Sequence, residues 1–202
     1  MKLYTIRLAP NPRRVHMFLA EKGVELPRVE IDLANSQNLT PEFLAINPLG
    51  RIPVLELDDG TCLAESMAIC RYFEETHPEP PLFGVDARDR AVVEMWNRRM
   101  EIEILMPIAQ CFRNTHPYWE GRIPQIAEFG ELCRKTAQER MAWLDGELGK
   151  REFVAGDRFT VADITGFVGV GFGRISKIRI ADDMASLQRW FDTIAARPSA
   201  EA

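Results

Sequence analysis

The stretch from Asn47 to Ser66 constrains the fold of this chain more than any other segment. Its β-favouring apolar residues, a turn at Asp58-Asp59-Gly60 and a second short apolar run predict a β-hairpin that leads into a helix. Pro53 stands near the start of the first strand, where a proline cannot donate to the ladder and where an X-Pro bond makes the cis form inexpensive. We therefore predict a tight cis turn at Ile52-Pro53. It would leave the Ile52 backbone free to pair with a peptide-like ligand, as an added strand would. An edge-strand proline without a ligand is the alternative.

Glu65 and Ser66 close this stretch, immediately before an apolar helical pattern. Ser66 is predicted to be the N-cap of that helix, which would place the first free N–H groups and the positive dipole end beside Glu65. Such a position suits an α-carboxylate together with an α-ammonium. A plain cap next to a solvated Glu is the alternative. Combined with the turn at Ile52, the pair predicts one pocket that binds a peptide backbone and holds an amino-acid group at one end.

The run N-P-L-G-R-I-P-V-L-E-L-D-D-G, followed by A-E-S, resembles the glutathione-binding half of the cytosolic glutathione S-transferase family. In the second half, the run from Gly156 to Ile164 has capping-box spacing between Thr160 and Asp163, with Phe159 and Ile164 at the staple positions. It also resembles the A-G-D-x-x-T-x-A-D-I pattern of the family's helical domain, so the resemblance covers essentially the whole chain. The segments that begin at Asn97 and at Lys177 resemble the fungal atypical branch and its bacterial theta-like and nu-like relatives.

The predicted order of the first half is strand, helix, strand, helix, strand, strand, helix, which is the thioredoxin-like arrangement and needs a right-handed crossover. The predicted elements are a strand over Lys2 to Leu8, a helix after Pro12 that stops at Gly23, a strand over Val29 to Leu33 and a short helix capped by Thr40 with Pro41 in its first turn. We predict an α/β thioredoxin-like, glutathione-binding domain over residues 1–76.

A proline-rich linker is predicted over residues 77–86, and an all-helical C-terminal domain over residues 87–202. Apolar spacing of three and four residues predicts its helices. They cover Ala87 to Arg113, Pro124 to Leu148, Thr160 to Phe172 and Met184 to Ala196. Pro107 lies inside the first of these and should kink it.

Composition excludes several functional classes. A net charge of −5 and a pI near 5.4 argue against a broad nucleic-acid surface. No apolar run approaches the roughly 18 residues of a membrane span, and the segment from Met1 to Leu8 lacks the pattern of a secretory signal. The 4 cysteines are widely spaced, which disfavours a redox disulfide centre and a zinc site. They are expected to fill the core of a cytoplasmic protein with no metal, no nucleic-acid partner and no membrane partner.

Members of the family that this chain resembles lower the pKa of the thiol of bound glutathione, because only the thiolate attacks an electrophile. A shift of about two pKa units corresponds to roughly 2.7 kcal/mol of selective thiolate stabilisation. Most classes place a Tyr, Ser or Cys at the end of the first strand, whereas this chain offers Ala9-Pro10-Asn11-Pro12. Asn11 is therefore the predicted catalytic donor, with an ordered water as another source of the bond. The alternative is that Asn11 only caps the helix beginning at Pro12.

The resemblance also implies which residues bind the co-substrate glutathione. Arg51 replaces a commoner Lys and keeps a cation near the glycine carboxylate, and Asn38 stands where related sequences often have His. The predicted glutathione-binding residues are Asn11, Arg13, Asn38, Arg51, Ile52, Pro53, Glu65 and Ser66. Arg14 is a further candidate, although one of the two neighbouring arginines is expected to be structural and paired across the domain boundary.

The electrophile site is expected between the domains, formed by the Asn11 loop and the kinked helix near Pro107. Its candidate residues are Gln110, Arg113, Asn114 and His116, with a surface-loop role as the alternative for His116. The predicted function is conjugation of glutathione to a hydrophobic electrophile by a homodimer. A glutathione-dependent disulfide reductase or peroxidase and a non-catalytic glutathione-binding stress protein are the alternatives.

Overall fold

The computed structural model describes residues 1–202 and divides into two units. The first unit comprises Met1–Pro81 and Pro198–Ala202, and the second comprises Leu82–Arg197. The last five residues are predicted from the sequence to belong to the helical domain. In the structure they join the first unit, because Ser199 Oγ donates to Glu21 Oε1 at 2.5 Å and a guanidinium of the same unit binds the Ala200 carbonyl.

A four-stranded mixed sheet forms the centre of the first unit, in the order β2-β1-β3-β4. The strands are β1 (Lys2–Thr5), β2 (Arg28–Glu30), β3 (Val54–Glu56) and β4 (Cys62–Ala64). Strand β1 runs parallel to β2 and antiparallel to β3, and β3 and β4 form the predicted hairpin. The thioredoxin-like arrangement is thus confirmed. Strands β1 and β2 are shorter than predicted, since turn residues follow Thr5 and the ladder ends at Glu30.

Three helices complete the first unit: α1 (Pro10–Lys22), α2 (Pro41–Ile46) and α3 (Ser66–Thr76). Helix α1 begins earlier than predicted. Pro10 is tolerated in its first turn because the missing N–H would have had no intrahelical acceptor. The predicted stop at Gly23 is confirmed, with φ at +64°, and so is the Thr40 cap, whose Oγ1 accepts the Phe43 N–H at 3.4 Å. The sheet and helices bury Leu3, Val15, Phe18, Val54, Leu55, Ile69 and Phe73.

A buried ion pair fastens the proline-rich segment after α3 to the first unit. The ammonium of Lys22 lies 2.6 Å from Glu74 Oε2 and also donates to the carbonyls of Pro78 and Pro80, at 3.2 and 2.5 Å. A buried ion pair is tolerated only when further hydrogen bonds satisfy the charged groups, and the two carbonyls do so for the ammonium of Lys22. This explains why the chain remains part of the first unit as far as Pro81.

The second unit is helical throughout, as predicted. Its helices are α4 (Ala87–Arg99), α5 (Met106–Thr115), α6 (Ala127–Leu148), α7 (Val161–Phe172) and α8 (Ala185–Ala195). Between α4 and α5 the chain forms a π-helix over Met100–Leu105. Pro107 is the second residue after it and has no N–H to donate to the preceding turn, so the regular ladder is interrupted in the region where a kink is predicted.

The predicted capping box at the start of α7 is confirmed. Asp163 is fully buried, and its Oδ2 accepts the Thr160 N–H at 2.9 Å and the Thr160 hydroxyl at 3.0 Å. Its Oδ1 accepts the Val154 N–H and the Trp190 indole N–H, both at 2.9 Å. Burial raises the pKa of Asp163, while these hydrogen bonds oppose the rise. The carboxylate therefore ties α8 and the segment before α7 to the start of α7, a structural role.

The cysteines follow the predicted pattern in three cases out of four. Cys70, Cys111 and Cys133 are buried, but Cys62 is exposed, which corrects the expectation of a core residue. Cys62 begins β4, the edge strand of the sheet, where only one long side is paired. None of the helices in the structure combines the length and the apolar composition needed to cross a bilayer.

Candidate functional site

The turn before β3 leaves a length of backbone unpaired. The Ile52-Pro53 peptide bond is cis, as predicted, and the hydrogen-bonded part of β3 begins only at Val54. Neither the N–H nor the C=O of Ile52 has a hydrogen-bond partner in the structure. A free donor and a free acceptor on one residue at the end of a strand can pair with an extended peptide.

Two asparagine side chains support the loop that precedes this turn. The Asn47 amide donates to the Arg51 carbonyl at 2.8 Å, and the Asn38 amide donates to the Gly50 carbonyl at 2.7 Å. A Cβ on Gly50 would lie 2.9 Å from the Asn38 carbonyl oxygen, and its φ is +59°, so the position requires glycine. The loop is thus fixed, while the Arg51 side chain remains exposed.

The strand register brings the two predicted binding elements together. Val54 pairs with Ala64 in the β3–β4 ladder. Ile52 lies two residues before Val54 on one strand, and Ser66 lies two residues after Ala64 on the other. The unpaired backbone and the start of α3 therefore lie at the same end of the hairpin.

The start of α3 differs from the prediction by one residue. Glu65, not Ser66, occupies the N-cap position, and no side chain caps the helix. Glu65 has φ at +69°, a conformation that costs a non-glycine residue about 1–3 kcal/mol and that clusters at ligand-binding sites. Ser66 is the first helical residue and is 5% exposed, and its N–H and hydroxyl have no partner within the protein. The start of α3 therefore has unpaired N–H groups, and its role in binding an anion stays a prediction, although Ser66 is not its cap.

Asn11 lies in the first turn of α1 and does not cap it, since Ala9 is the N-cap and no side chain serves as a cap. Its Oδ1 accepts a hydrogen bond from Nη1 of Arg14 at 3.3 Å. A guanidinium can only donate, so the amide oxygen must face Arg14 and the amide NH₂ group must face away. The Asn11 side chain is exposed. Its free NH₂ group is consequently a donor available to a ligand atom at this helix end.

Arg14 fixes the orientation of the Asn11 amide through this hydrogen bond. The Arg14 side chain is only 1% exposed, an unusual degree of burial for a cation. Burial raises the pKa of the Cys70 thiol to about 12, and the positive charge of Arg14 opposes this rise. The i, i+3 spacing of Asn11 and Arg14 was visible in the sequence, because residues three apart share one face of a helix. The burial of Arg14, which fixes this contact, could not be read from the sequence.

Arg13 has a different environment from its predicted one. Its Nη2 donates to the Ala200 carbonyl at 3.1 Å, inside the first unit, so this contact does not cross between the units. Arg7 and Arg13 line a cavity of about 490 Å³ together with Leu8 and the last three residues, Ala200, Glu201 and Ala202. Arg13 therefore lies close to the Asn11 loop, with part of its hydrogen-bonding capacity already used.

His16 is a buried polar residue that the sequence analysis did not identify. It is 1% exposed, its Nε2 lies 2.7 Å from the Thr5 hydroxyl, and its Nδ1 has no partner. Burial, with a smaller contribution from the charge of Arg28, lowers the pKa of His16 to about 4. The imidazole is thus neutral at physiological pH and supports the end of β1 without adding charge there.

The four predicted electrophile-site residues all lie on or just after α5, in the second unit. Gln110 and Asn114 are one turn apart, and the Asn114 amide donates to the Gln110 carbonyl at 2.9 Å and accepts the Ile126 N–H at 3.0 Å. His116 Nδ1 accepts the Tyr118 N–H at 3.1 Å. Asn114 and His116 are therefore engaged in local structure.

An aromatic cluster around Phe112 accompanies these residues and was missed in the sequence. The Phe112 ring lies 4.8 Å from His116 and 5.3 Å from Phe172, centroid to centroid. The Arg113 guanidinium lies 4.7 Å from the centre of the Trp119 ring. The surface near α5 thus offers aromatic faces and a guanidinium, which suits a flat apolar ligand.

Comparison with known proteins gives consistent results over the whole chain. The family described as "Glutathione S-transferase, N-terminal domain" matches residues 1–75, and "Glutathione S-transferase, C-terminal domain" matches residues 105–198. Glutathione S-transferase 2 of Saccharomyces cerevisiae is 37% identical over 203 residues, covering 98% of this chain and 87% of the yeast protein.

Solved structures agree with this similarity. The crystal structure of Gtt2 from Saccharomyces cerevisiae has a TM-score of 0.93 at 37% identity, covering 100% of this chain and 99% of that one. A glutathione S-transferase domain-containing protein of Marinobacter aquaeolei VT8 has a TM-score of 0.92 at 39% identity, covering 98% and 99%.

Proposed function

This chain belongs to the glutathione S-transferase family, and from that premise we propose that it activates the thiol of glutathione and transfers it to the electrophilic carbon of an apolar substrate. The observation that carries the proposal is that the unpaired Ile52 backbone and the uncapped start of α3 lie at the same end of the β3–β4 hairpin. Glutathione is a small peptide with an amino-acid group at one end, so it matches both features.

The binding mode follows from these contacts. The Ile52 N–H and C=O pair with the cysteinyl part of glutathione, and the exposed Arg51 guanidinium faces its glycine carboxylate. At the other end, Glu65 binds the γ-glutamyl ammonium, and Ser66 with the first turn of α3 binds the γ-glutamyl carboxylate. The positive φ of Glu65 supports this assignment, because strained residues of this kind gather at ligand-binding sites.

Thiol activation is assigned to Asn11 and the start of α1. The free amide NH₂ group donates to the thiolate, and the first turn of α1 contains no acidic residue that would offset its positive dipole end. A hydrogen bond to a charged acceptor contributes about 1.5–3 kcal/mol and a helix end about 0.3–1 kcal/mol. Together they reach the roughly 2.7 kcal/mol that corresponds to a two-unit decrease of the thiol pKa.

The reaction then needs no further group from the protein. The thiol releases its proton to solvent, and the thiolate attacks carbon to form a C–S bond. The electron pair of the bond that breaks leaves with the departing group, or the substrate takes up a proton after an addition.

Aromatic faces near α5 are proposed to bind the apolar part of this substrate. The assignment of Gln110 and Arg113 to the electrophile site stays a prediction, and Asn114 and His116 are weaker candidates because both are engaged locally.

A thiol reductase is the second candidate reaction, and the distribution of cysteines argues against a protein thiol as its nucleophile. The loop from Ala9 to Pro12 contains no cysteine. Burial raises the pKa of Cys70, the buried thiol near Arg14, to about 12, which suppresses its thiolate. Burial also raises the pKa of Cys62, the exposed cysteine, so at the proposed site glutathione itself supplies the nucleophile, as it does in conjugation.

Steady-state turnover of glutathione with aryl halides, peroxides and mixed disulfides tests the proposed function. Conjugation of aryl halides with lower rates on the other two classes is the expected result. Turnover of only peroxides or mixed disulfides would replace the proposal with the second candidate. Absence of turnover on all three would favour a non-catalytic glutathione-binding protein.

We further propose that the protein is a homodimer located in the cytoplasm, in accordance with the sequence prediction. Equilibrium sedimentation at micromolar concentration should then give twice the chain mass of 23.0 kDa. A single species of one chain mass would contradict the dimer.

A further inference from the structure

The part of the chain that forms most of the proposed glutathione site has an unbalanced charge. Residues 29–70 contain one cation, Arg51, and no other lysine, arginine or histidine. The same residues contain seven carboxylates, which are Glu30, Asp32, Glu42, Glu56, Asp58, Asp59 and Glu65. Glutathione brings a carboxylate at each end and one ammonium, so a ligand of net negative charge is expected to meet a negative potential here.

The only cation of this segment is exposed. No hydrogen bond or ion pair within the protein fixes the Arg51 guanidinium, which faces the glycine carboxylate in the proposed binding mode. An exposed ion pair changes an affinity by no more than about fivefold, because water and salt screen it. Ser66, at the γ-glutamyl end, is by contrast 5% exposed. The glycine carboxylate is therefore the more weakly bound end of the ligand.

The connection between β2 and α2, residues 31–40, uses polar side chains within the first unit. The Asn35 amide donates to Asp32 Oδ2 at 2.6 Å. The Asn38 amide donates to the Gly50 carbonyl at 2.7 Å, which ties this connection to the loop before the cis turn and uses part of the donor capacity of Asn38. The connection contains no cation that could bind the glycine carboxylate.

Two carboxylates beside this connection have no cationic partner. Hydrogen bonds from Asn35 lower the pKa of Asp32. Hydrogen bonds from the Glu42 backbone and from Thr40 lower the pKa of Glu42, in the first turn of α2. Both side chains are thus ionised at neutral pH, and neither forms an ion pair. Their charges oppose the attraction of Arg51 for a carboxylate and favour a cation on the ligand.

Resting on the proposed function, we propose that the co-substrates of this protein include tripeptide thiols whose glycine carboxyl group is joined by an amide bond to an amine, and that cationic amides of this kind bind best. The amide replaces a charged group that only Arg51 would bind. A further ammonium on the amine interacts favourably with Asp32 and Glu42. The γ-glutamyl and cysteinyl parts bind as in glutathione, and the thiol that forms the C–S bond is the same.

Isothermal titration with peptide thiols at about 0.01 M salt, where exposed charges are weakly screened, tests this proposal. Glutathione amide, which has a neutral carboxamide in place of the glycine carboxylate, should bind within about fivefold of glutathione. Glutathione 2-aminoethylamide adds an ammonium and should bind about two- to fivefold more tightly than the neutral amide. Its kcat with an aryl halide should equal that with glutathione, because the thiol and its donor Asn11 are unchanged.

A peptide that lacks the other carboxylate is the matched control. The peptide 4-aminobutyryl-cysteinylglycine has no α-carboxylate, and it should bind at least about tenfold more weakly than glutathione because a charge-assisted hydrogen bond at Ser66 is lost. A loss of more than about fivefold for glutathione amide, equal affinities of the two amides, or full affinity of this control would overturn the inference. Failure of glutathione itself to bind would overturn the proposed function as well.

A pair of double variants tests the origin of the preference for a cationic amide. Asp32→Asn with Glu42→Gln should abolish the preference, because the unpaired carboxylates are removed. Glu25→Gln with Glu79→Gln removes the same charge from exposed positions at the C-terminal end of α1, whereas Asn11 lies at its start, and should keep the preference. The same outcome in both double variants would contradict a local origin, and the inference would be withdrawn. The comparison of the peptides uses the wild-type protein and holds even if a variant fails to fold.

Discussion

Nη1 of Arg14 donates a hydrogen bond to Oδ1 of Asn11 at 3.3 Å, and Arg14 is buried while Asn11 is exposed. The contact makes a buried cation responsible for the orientation of a surface amide. If the Asn11 NH₂ group stabilises the glutathione thiolate, Arg14 acts through Asn11 as a positioning residue.

Asn11→Ala removes the proposed donor. We expect the thiol pKa of bound glutathione to rise by about one unit, because the hydrogen bond to the thiolate is lost, while glutathione affinity changes little. The value of kcat should fall accordingly. Ultraviolet absorbance of the bound thiolate against pH measures the shift. An unchanged pKa in this variant would remove Asn11 from the mechanism.

Arg14→Lys tests whether the arginine acts through Asn11. Lysine keeps the charge but loses the guanidinium geometry, so we expect a rise in the bound thiol pKa similar to that of Asn11→Ala. In the Asn11→Ala background the same substitution should have no further effect. Additive shifts would show that Arg14 acts on the thiolate directly. Circular dichroism establishes that each variant is folded, since Arg14 is buried.

His16 should make stability depend on pH in a defined window. Its folded pKa of about 4 lies below the ordinary value of 6.5, so the unfolded chain binds the extra proton between these values. Stability is therefore fully present above about pH 6.5 and decreases as the pH falls towards 4, by about 3 kcal/mol at most. His16→Gln should reduce the slope of the unfolding free energy in this window by up to one proton. Equal slopes in the wild type and in His16→Gln would contradict the assignment.

Asp163→Asn should destabilise the second unit. Its carboxylate accepts four hydrogen bonds from buried donors, and an amide can accept with only one of its two terminal atoms. We expect the free energy of unfolding to fall by about 2–4 kcal/mol in urea. Asp157→Asn, at an exposed position nearby, should cost less than about 0.5 kcal/mol. Similar values for the two variants would show that the capping box contributes little.

Local signals in the sequence predicted most of the fold. The Thr40 cap and the stop at Gly23 each depend on a few adjacent residues, and both are confirmed. A π-helix precedes Pro107, in the region where a kink is predicted. The error at the start of α3 has a physical cause: the chain enters the helix through Glu65 with a positive φ, which the preferences of a glutamate do not indicate.

Tertiary features of the site were beyond sequence reasoning. The i, i+3 spacing of Asn11 and Arg14 could be read from the sequence, but the burial of Arg14 depends on the packing of α1 against α3. The exposure of Cys62 depends on its place in an edge strand, which is set by sheet order rather than by the composition of the strand.

Isothermal titration of glutathione into Glu65→Gln tests the central claim most directly. The substitution keeps the shape of the side chain but loses one charge-assisted hydrogen bond to the γ-glutamyl ammonium, worth roughly 1.5–3 kcal/mol. We predict that affinity falls about 10- to 150-fold while the bound thiol pKa barely changes, so that the loss appears as a raised KM. Glu25→Gln, at another exposed position of the first unit, should bind like the wild type. Wild-type affinity in Glu65→Gln would show that the start of α3 does not hold the γ-glutamyl group, and the glutathione-binding assignment built on Glu65 and Ser66 would have to be withdrawn.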